Sequence, residues 1–325
     1  MADITYAAAL NRALDEAMSE NPKVVLIGED IGALGGVFTV SEGLLDKFGS
    51  ARVRETPLSE AAFMGCGIGL ALCGWRPVVE IMFSDFLTMC MDQLCNQAAK
   101  LRYMTGGQAT VPLTVRTAIG ARNSAAAQHS QSSQAWVAHT PGLRVVLPAT
   151  PADAFGLLAS AIESDDPVVV MEHKLLYGQK GPAPESRYRV PLGKAEIKRP
   201  GTDLTLIGCS RMTQVALQAA EVLTTRGVNA EVVDLRSLAP LDRETILESV
   251  ARTRRAVVVD EGVIDYGVTA EIAALVSAEL FGQLLAPVGR VGAWPTPIPF
   301  SPPLEKAVIP QVEDVVAAAV KCVAG

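Results

Sequence analysis

The chain has three histidines, His129, His139 and His173, all between positions 129 and 173. Imidazole titrates closest to neutrality, so histidine acid or base chemistry is confined to this window. His129 lies in Ala125-Ala126-Ala127-Gln128-His129-Ser130-Gln131-Ser132, a small, polar run without helical spacing. It reads as a loop, where a working imidazole and an idle exposed one are equally at home. The carboxylates that could do chemistry are Glu29 and Asp30, which end an apolar run, and Glu60, which opens a helix. A first-turn glutamate also has a plain structural use, because it favours the positive end of the helix dipole. Phe86 follows another apolar run.

Other chemistries lack their residues. Gly65-Cys66-Gly67-Ile68-Gly69 has the wrong spacing for a dinucleotide fingerprint and lies inside a helix, so close helix packing explains it better. No phosphate-cradling Gly-rich loop ending in Gly-Lys, no His-x-x-x-His and no Cys-x-x-Cys occurs. A phosphate-bearing cofactor would need help from another chain. The six cysteines, Cys66, Cys73, Cys90, Cys95, Cys209 and Cys322, sit in apolar, helix-like segments and read as reduced, packed thiols of a cytoplasmic protein.

These residues need a scaffold, and 325 residues with 49% hydrophobic content supply about two domains with large cores. A net charge of −7 without a basic run excludes the usual footprint of nucleic-acid binding. No apolar run reaches the roughly 18 residues of a membrane span, and no signal peptide is visible at Met1-Ala2-Asp3.

The pattern alternates. Residues 6 to 18 place Tyr6, Leu10, Ala13, Leu14, Ala17 and Met18 on one helical face, and Lys23 to Ile27 is a buried-strand run. Val53 to Glu55, a helix from Glu60 to Cys73 capped by Ser59, a strand from Pro77 to Met82 and a helix from Asp85 to Arg102 follow. Strands Val111–Arg116 and Leu143–Leu147, a helix opened by Thr150-Pro151 and a strand Pro167–Glu172 close the series. Residues 179–201, rich in proline, read as a linker. A second series runs through strands at 204–207, 230–233 and 256–259, with helices at 210–226, 242–252 and 268–280 and a last helix after a proline-rich tail. The fold expected is α/β with two doubly wound domains, residues 1–178 and 202–325. Ligands in such folds bind at the carboxyl ends of strands. That directs attention to Gly28–Asp30, Thr56–Glu60, Ser84–Phe86 and Thr117–Ser133.

Taken together, the motifs resemble the beta subunits of the thiamine-diphosphate-dependent 2-oxo acid and acetoin dehydrogenases. The resemblance rests on Gly28-Glu29-Asp30, Thr56-Pro57-Leu58-Ser59-Glu60 and Gln128-His129-Ser130-Gln131. It extends to Asp92-Gln93 with Asn96 to Lys100, to His139 with Pro141-Gly142-Leu143, to Pro240-Leu241-Asp242, to Pro297 to Phe300 and to Ile309-Pro310, nearly the whole chain. It implies a pyrimidine-binding domain of thiamine enzymes followed by a transketolase C-terminal-like domain. Glu60 then matches the glutamate that shares a proton with ring nitrogen N1′ of the aminopyrimidine, which favours the tautomer able to take the C2 proton. Burial there raises a carboxyl pKa and the helix N-terminus lowers it. Phe86 matches the ring that packs on the aminopyrimidine, with Glu29, Leu58 and Met82 lining the same pocket.

His129 matches the family's active-site histidine, which handles substrate and acyl transfer to a lipoyl arm, and His139 a supporting position. The string Glu172-His173-Lys174-Leu175-Leu176-Tyr177 looks more like acetoin than branched-chain dehydrogenases, although His173 reads equally well as a strand-end surface group. Arg122-Asn123-Ser124 departs from the family's usual sequence and leaves the substrate open. The Gly-Asp-Gly signature that holds diphosphate and magnesium is absent from this chain. In the family it belongs to an alpha subunit. The resemblance thus implies a heterotetramer of two alpha and two beta chains, magnesium held by alpha, and a lipoyl acyltransferase core as partner. Some relatives also hold potassium through backbone carbonyls, and an ungapped match puts these at Leu113, Ala161, Ile162, Ser164 and Asp166. The expected activity is cleavage of acetoin or decarboxylation of pyruvate with acetyl transfer. A branched-chain beta subunit, a transketolase-like half enzyme and a non-catalytic scaffold are the alternatives.

Overall fold

A computed structural model describes residues 3–121 and 124–324. The chain forms two compact units, one of residues 1–119 and 136–192, the other of residues 120–135 and 193–325.

In the first unit β1 (Asp3–Thr5) leads into α1 (Tyr6–Glu20), β2 (Val24–Gly28), α2 (Leu44–Phe48), β3 (Val53–Glu55), α3 (Glu60–Leu72) and β4 (Arg76–Phe83). Then come α4 (Ala99–Met104), β5 (Thr114–Ile119), α5 (Gln134–Ala138), β6 (Arg144–Val146), α6 (Pro151–Glu163), β7 (Val168–His173) and β8 (Lys180–Pro182). The strands of this unit's main sheet lie in the order β6-β7-β5-β4-β2-β3, all parallel. Every residue of β2, β5 and β7 is buried, as expected of parallel strands covered on both faces. α1 is capped by Thr5, whose hydroxyl accepts the Ala8 N–H, and buries Tyr6, Leu10, Leu14 and Met18 in the core. Thr150 caps α6 in the same way, with Pro151 at the first helical position.

The span 85–102 is helical but not one α-helix. Ser84–Cys90 is a 3₁₀ stretch and Asp92–Ala98 a π-helix, joined to α4. The expected strand at Val111–Arg116 begins later, at Thr114. Of the glycines in α3 only Gly67 is demanded by packing, since a Cβ there would stand 2.7 Å from Val79 Cγ2. The burial expected of the cysteines holds for Cys90, Cys209 and Cys322, whereas Cys66 and Cys73 are exposed on the outer face of α3 and at its end.

The core of this sheet also holds a charge cluster. Arg116 on β5, 2% exposed, makes two hydrogen bonds to Glu172 on β7 (2.8 and 2.7 Å) and one to Glu80 on β4. Tyr177 donates its hydroxyl to Glu172 at 2.8 Å. Burial pushes the Glu172 carboxyl up, and Arg116 pulls it down without cancelling the rise.

The second unit contains β9 (Glu196–Arg199), β10 (Leu204–Gly208), α7 (Arg211–Thr224), β11 (Ala230–Asp234), β12 (Ser237–Ala239), α8 (Arg243–Thr253), β13 (Ala256–Val263), α9 (Val268–Glu279), β14 (Gly289–Ala293), α10 (Pro302–Val308) and α11 (Val312–Ala324). Its five-stranded sheet has the order β14-β13-β10-β11-β9, with only β9 antiparallel. Leu206, Val232, Val257 and Val259 pack on Ala216, Ala219 and Leu223 of α7 and on Val315 and Ala319 of α11. The stretch 179–201, read as a linker, carries two strands. β8 pairs with β1, and β9 joins the second sheet. Proline-rich composition marked an irregular path but concealed these edge strands, where proline is tolerated.

Candidate active site

Strand order reverses in the first sheet at β2, which has β3 on one side and β4 on the other. Gly28 at the end of β2 pairs with Glu55 and with Glu80, so the segments leaving β2, β3 and β4 emerge side by side. A crevice at such a reversal is the usual ligand site of an open α/β sheet. It gathers Glu29, the turn Thr56–Ser59 with Glu60, and Ser84–Phe86.

Glu29 is buried, and its carboxylate accepts the Ser59 backbone N–H. Ser59 precedes α3 as expected, but its side chain makes no capping bond. Burial raises the Glu29 pKa, the nearby Glu60 charge raises it further, and the Ser59 N–H opposes both. Glu29 Oε1 and Thr56 Oγ1 are buried without a hydrogen-bond partner among the described residues. Glu60, half-buried in the first turn of α3, also acts on Cys90, whose thiol is pushed up to about 12 by burial, Glu60 and Cys95. Two carboxylates in mutual range, one with an orphaned oxygen and a raised pKa, form a site lacking a protonated or donor-bearing partner. The donor edge of an aminopyrimidine fits that need.

Met82 and Phe86 are half-buried, and Phe86 meets Phe83 edge to face with centroids 6.1 Å apart. Leu58, in the turn before Glu60, is 83% exposed.

His129 is half-buried, and its backbone N–H donates to Ala126 O at 3.4 Å. Its loop, residues 120–135, belongs to the second unit, whereas His139 is exposed in the first. Of the divergent Arg122-Asn123-Ser124 in this loop, Arg122 and Asn123 lie outside the described residues. His173 is not a surface group. It is 1% exposed, and its Nδ1 accepts the Leu175 N–H at 3.1 Å, because β7 runs on as a buried strand to that residue.

The five carbonyls considered for potassium each accept a hydrogen bond. Leu113 O takes the Val168 N–H (2.9 Å), Ala161 O the Ser164 N–H (3.1 Å), and Asp166 O the Ser164 hydroxyl (3.0 Å). Arg76 Nη1 donates to Ile162 O and Ser164 O at 2.9 and 3.0 Å. Arg102 and Arg144 hold the Asp166 carboxylate, whose pKa lies below the usual range although burial opposes this. A cation there would have to share these oxygens, through their second lone pairs, with their present donors, a guanidinium at Ile162 O and Ser164 O.

The sequence pattern did not reveal Arg116, Glu80 and Arg76. Arginine and glutamate inside an apolar strand carry no local sign of their partners.

Residues 2–180 match the family model for the transketolase pyrimidine binding domain, and residues 193–315 that for the transketolase C-terminal domain. The chain is 46% identical to the beta subunit of acetoin:2,6-dichlorophenolindophenol oxidoreductase of Cupriavidus necator, covering 99% of this chain and 98% of that protein. It is 47% identical to a mitochondrial pyruvate dehydrogenase E1 component subunit beta-1 of Oryza sativa subsp. japonica, over 98% of this chain and 86% of that one. In fold it matches a split gene transketolase described as an inactive beta4 tetramer, with a TM-score of 0.80, 24% identity, and 99% and 98% of the two chains covered. The chain therefore belongs to the beta-subunit family of the acetoin and pyruvate dehydrogenases, built from a transketolase pyrimidine-binding domain and a transketolase C-terminal domain.

Proposed function

We propose that this chain forms the pyrimidine half of a thiamine-diphosphate site. With an alpha subunit it would cleave acetoin or decarboxylate pyruvate and pass the acetyl group to a lipoyl acyltransferase. The observation that carries this reading is the carboxylate pair at the first reversal point, Glu29 with its orphaned Oε1 and Glu60 within its field. Thiamine diphosphate, when bound, supplies the carbanion-stabilising thiazolium. Glu60 hydrogen-bonds the pyrimidine ring nitrogen, with which it shares a proton. Glu29 offers a second carboxyl beside it, with its pKa raised by burial and by the Glu60 charge, and Phe86 and Met82 give the ring an apolar wall. His129 donates a proton to the oxygen or sulfur that gains charge during acyl transfer.

Dependence on an alpha subunit is supported by the missing Gly-Asp-Gly signature, since magnesium and diphosphate need ligands that this chain lacks. Among the described residues no cluster of His, Cys, Asp or Glu is able to hold a metal. A cytoplasmic place is part of the reading, and no described helix is long and apolar enough to cross a membrane.

The test is reconstitution with an alpha subunit of this family, thiamine diphosphate and magnesium, with dye reduction followed for acetoin, pyruvate and branched-chain 2-oxo acids. Turnover of acetoin or pyruvate is expected, and none by the isolated chain. Turnover of branched-chain acids alone redirects the reading to the branched-chain alternative. Activity on sugar phosphates without a lipoyl acceptor redirects it to a transketolase half. No turnover of any substrate, with no thiamine binding, leaves a scaffold.

Potassium at the Ile162–Asp166 turn has its own test. Arg76→Met deprives two carbonyls of a charged donor and is expected to cost about 1.5–3 kcal/mol of stability. KCl, but not choline chloride, is expected to restore part of the lost Tm. Equal melting in the two salts removes potassium from the reading.

A further inference from the structure

Strand order reverses a second time, in the sheet of the second unit. The chain passes from β10 through α7 to β11 on one side, and then through α8 to β13 on the other. The crevice expected at that reversal lies between the carboxyl ends of β10 and β13, at Cys209 and Ser210 on one strand and Asp260 and Glu261 on the other. The register of β13 on β14 shifts between Val259 and Val263, an irregularity of the kind that re-aims side chains near functional sites.

Ala121 and Gln134, at the two ends of this loop, bond to these carboxylates. The Ala121 N–H donates to Glu261 Oε1 at 2.8 Å, and Gln134 Nε2 donates to Asp260 Oδ1 and Oδ2 at 2.8 and 2.9 Å. The Ser124 N–H donates to Glu305 of α10 at 3.1 Å. The Gly120 N–H closes the neck of the loop on Gln131 O at 3.1 Å. The carboxylates are themselves held. Asp260 receives the Gly262 N–H at 3.1 Å and the Cys209 thiol at 3.6 Å, and Glu261 receives Arg211 at 3.1 Å. A Cβ on Gly262 would stand 2.6 Å from Asp260 Oδ2 and 3.3 Å from Gln134 Nε2, so the approach is close on both sides.

The loop needs such holding. Ser124 and Ala126 take positive φ values of 58° and 63°, a region that costs an L-residue roughly 1–2 kcal/mol. Strain of this kind persists only where surrounding contacts over-determine it. His129 sits between the tethered positions Ser124 and Gln134.

We propose that the reversal-point crevice of the second unit is the dock for the His129 loop, and that Asp260, Glu261 and Glu305 are positioning residues that fix where the imidazole stands. They act through His129, and the inference therefore rests on the role given to His129 above.

The test is a double-mutant cycle in the enzyme assembled with alpha subunit and thiamine diphosphate, read as kcat for acetyl transfer to a lipoyl domain. Glu261→Ala is expected to lower kcat on the order of 10²-fold, the scale of a misplaced catalytic group, with the substrate KM and thiamine affinity unchanged. His129→Ala should lower kcat at least as far, and the double variant no further than His129→Ala. Glu261→Gln, which keeps an acceptor for the Ala121 N–H, should recover most of the loss. A loss in His129→Ala with full activity in Glu261→Ala, or losses that multiply in the double variant, overturns the docking inference alone. Full activity of His129→Ala overturns the reading of that residue and the inference with it. If Glu261→Ala does not assemble, Gln134→Leu cuts the tether from the loop side and gives the same cycle.

Discussion

Glu60→Ala is expected to lower turnover of the assembled enzyme by roughly 10²- to 10⁴-fold, the range contributed by a positioned proton-transfer group, without lowering the Tm. The second half of this expectation comes from the charges around the residue. Glu60 forms no ion pair among the described residues, and its charge works against Glu29 and the Cys90 thiol. A carboxylate whose neighbours are destabilised by it serves something other than the fold. Its removal takes away one of the causes that raise the Glu29 pKa, so Glu29 should titrate at lower pH in Glu60→Gln than in the parent. Steady-state kinetics, a thermal melt and a pH titration read all three effects. An active variant, or one that loses stability in proportion to its activity, refutes the assignment.

Arg116→Leu is expected to produce the largest loss of stability, about 3–5 kcal/mol, because it leaves Glu80 and Glu172 buried without their counter-charge. The loss should depend on pH, with a defined sign. The Glu172 pKa is already raised by burial, and removal of Arg116 takes away the main influence lowering it. A carboxyl with a raised native-state pKa binds its proton more tightly folded than unfolded, so its stability contribution is present at low pH and lost as pH rises through the folded value. The deficit of Arg116→Leu relative to the parent is therefore smaller at pH 5 than at pH 8. Denaturant titrations at the two pH values check this, and equal deficits would show that the cluster is not coupled as described.

The parallel strands and the helices packed on them were legible because burial on both faces leaves continuous apolar runs such as Val24 to Ile27 and Val168 to Met171. The cap at Thr150 was legible for a local reason, since the bond reaches only three residues. Less visible was the change of helical type after Phe83. The apolar pattern of 85–102 fits a continuous helix, while the backbone passes through 3₁₀ and π turns. The site divided in the same way. Glu29, Glu60 and Phe86 stand in the segments that follow strands, where the rule about strand ends directs attention. The allegiance of the His129 loop was hidden because its tethers, Glu261 and Glu305, lie 140 and 181 residues further along the chain from their partners. Nothing near position 121 or 124 announces them.

That loop also limits how freely the two halves can be exchanged. The polypeptide passes between units at 119/120, 135/136 and 192/193, so a cut in the proline-rich stretch does not yield two self-sufficient modules. A first half grafted onto the second half of a relative would carry residues 120–135 to a host lacking their acceptors unless that host also presented carboxylates at the places of Asp260, Glu261 and Glu305. Recombination within the family is thus constrained by a handful of hydrogen bonds far from the splice point, and a chimera can fold in both halves and still mis-set the histidine.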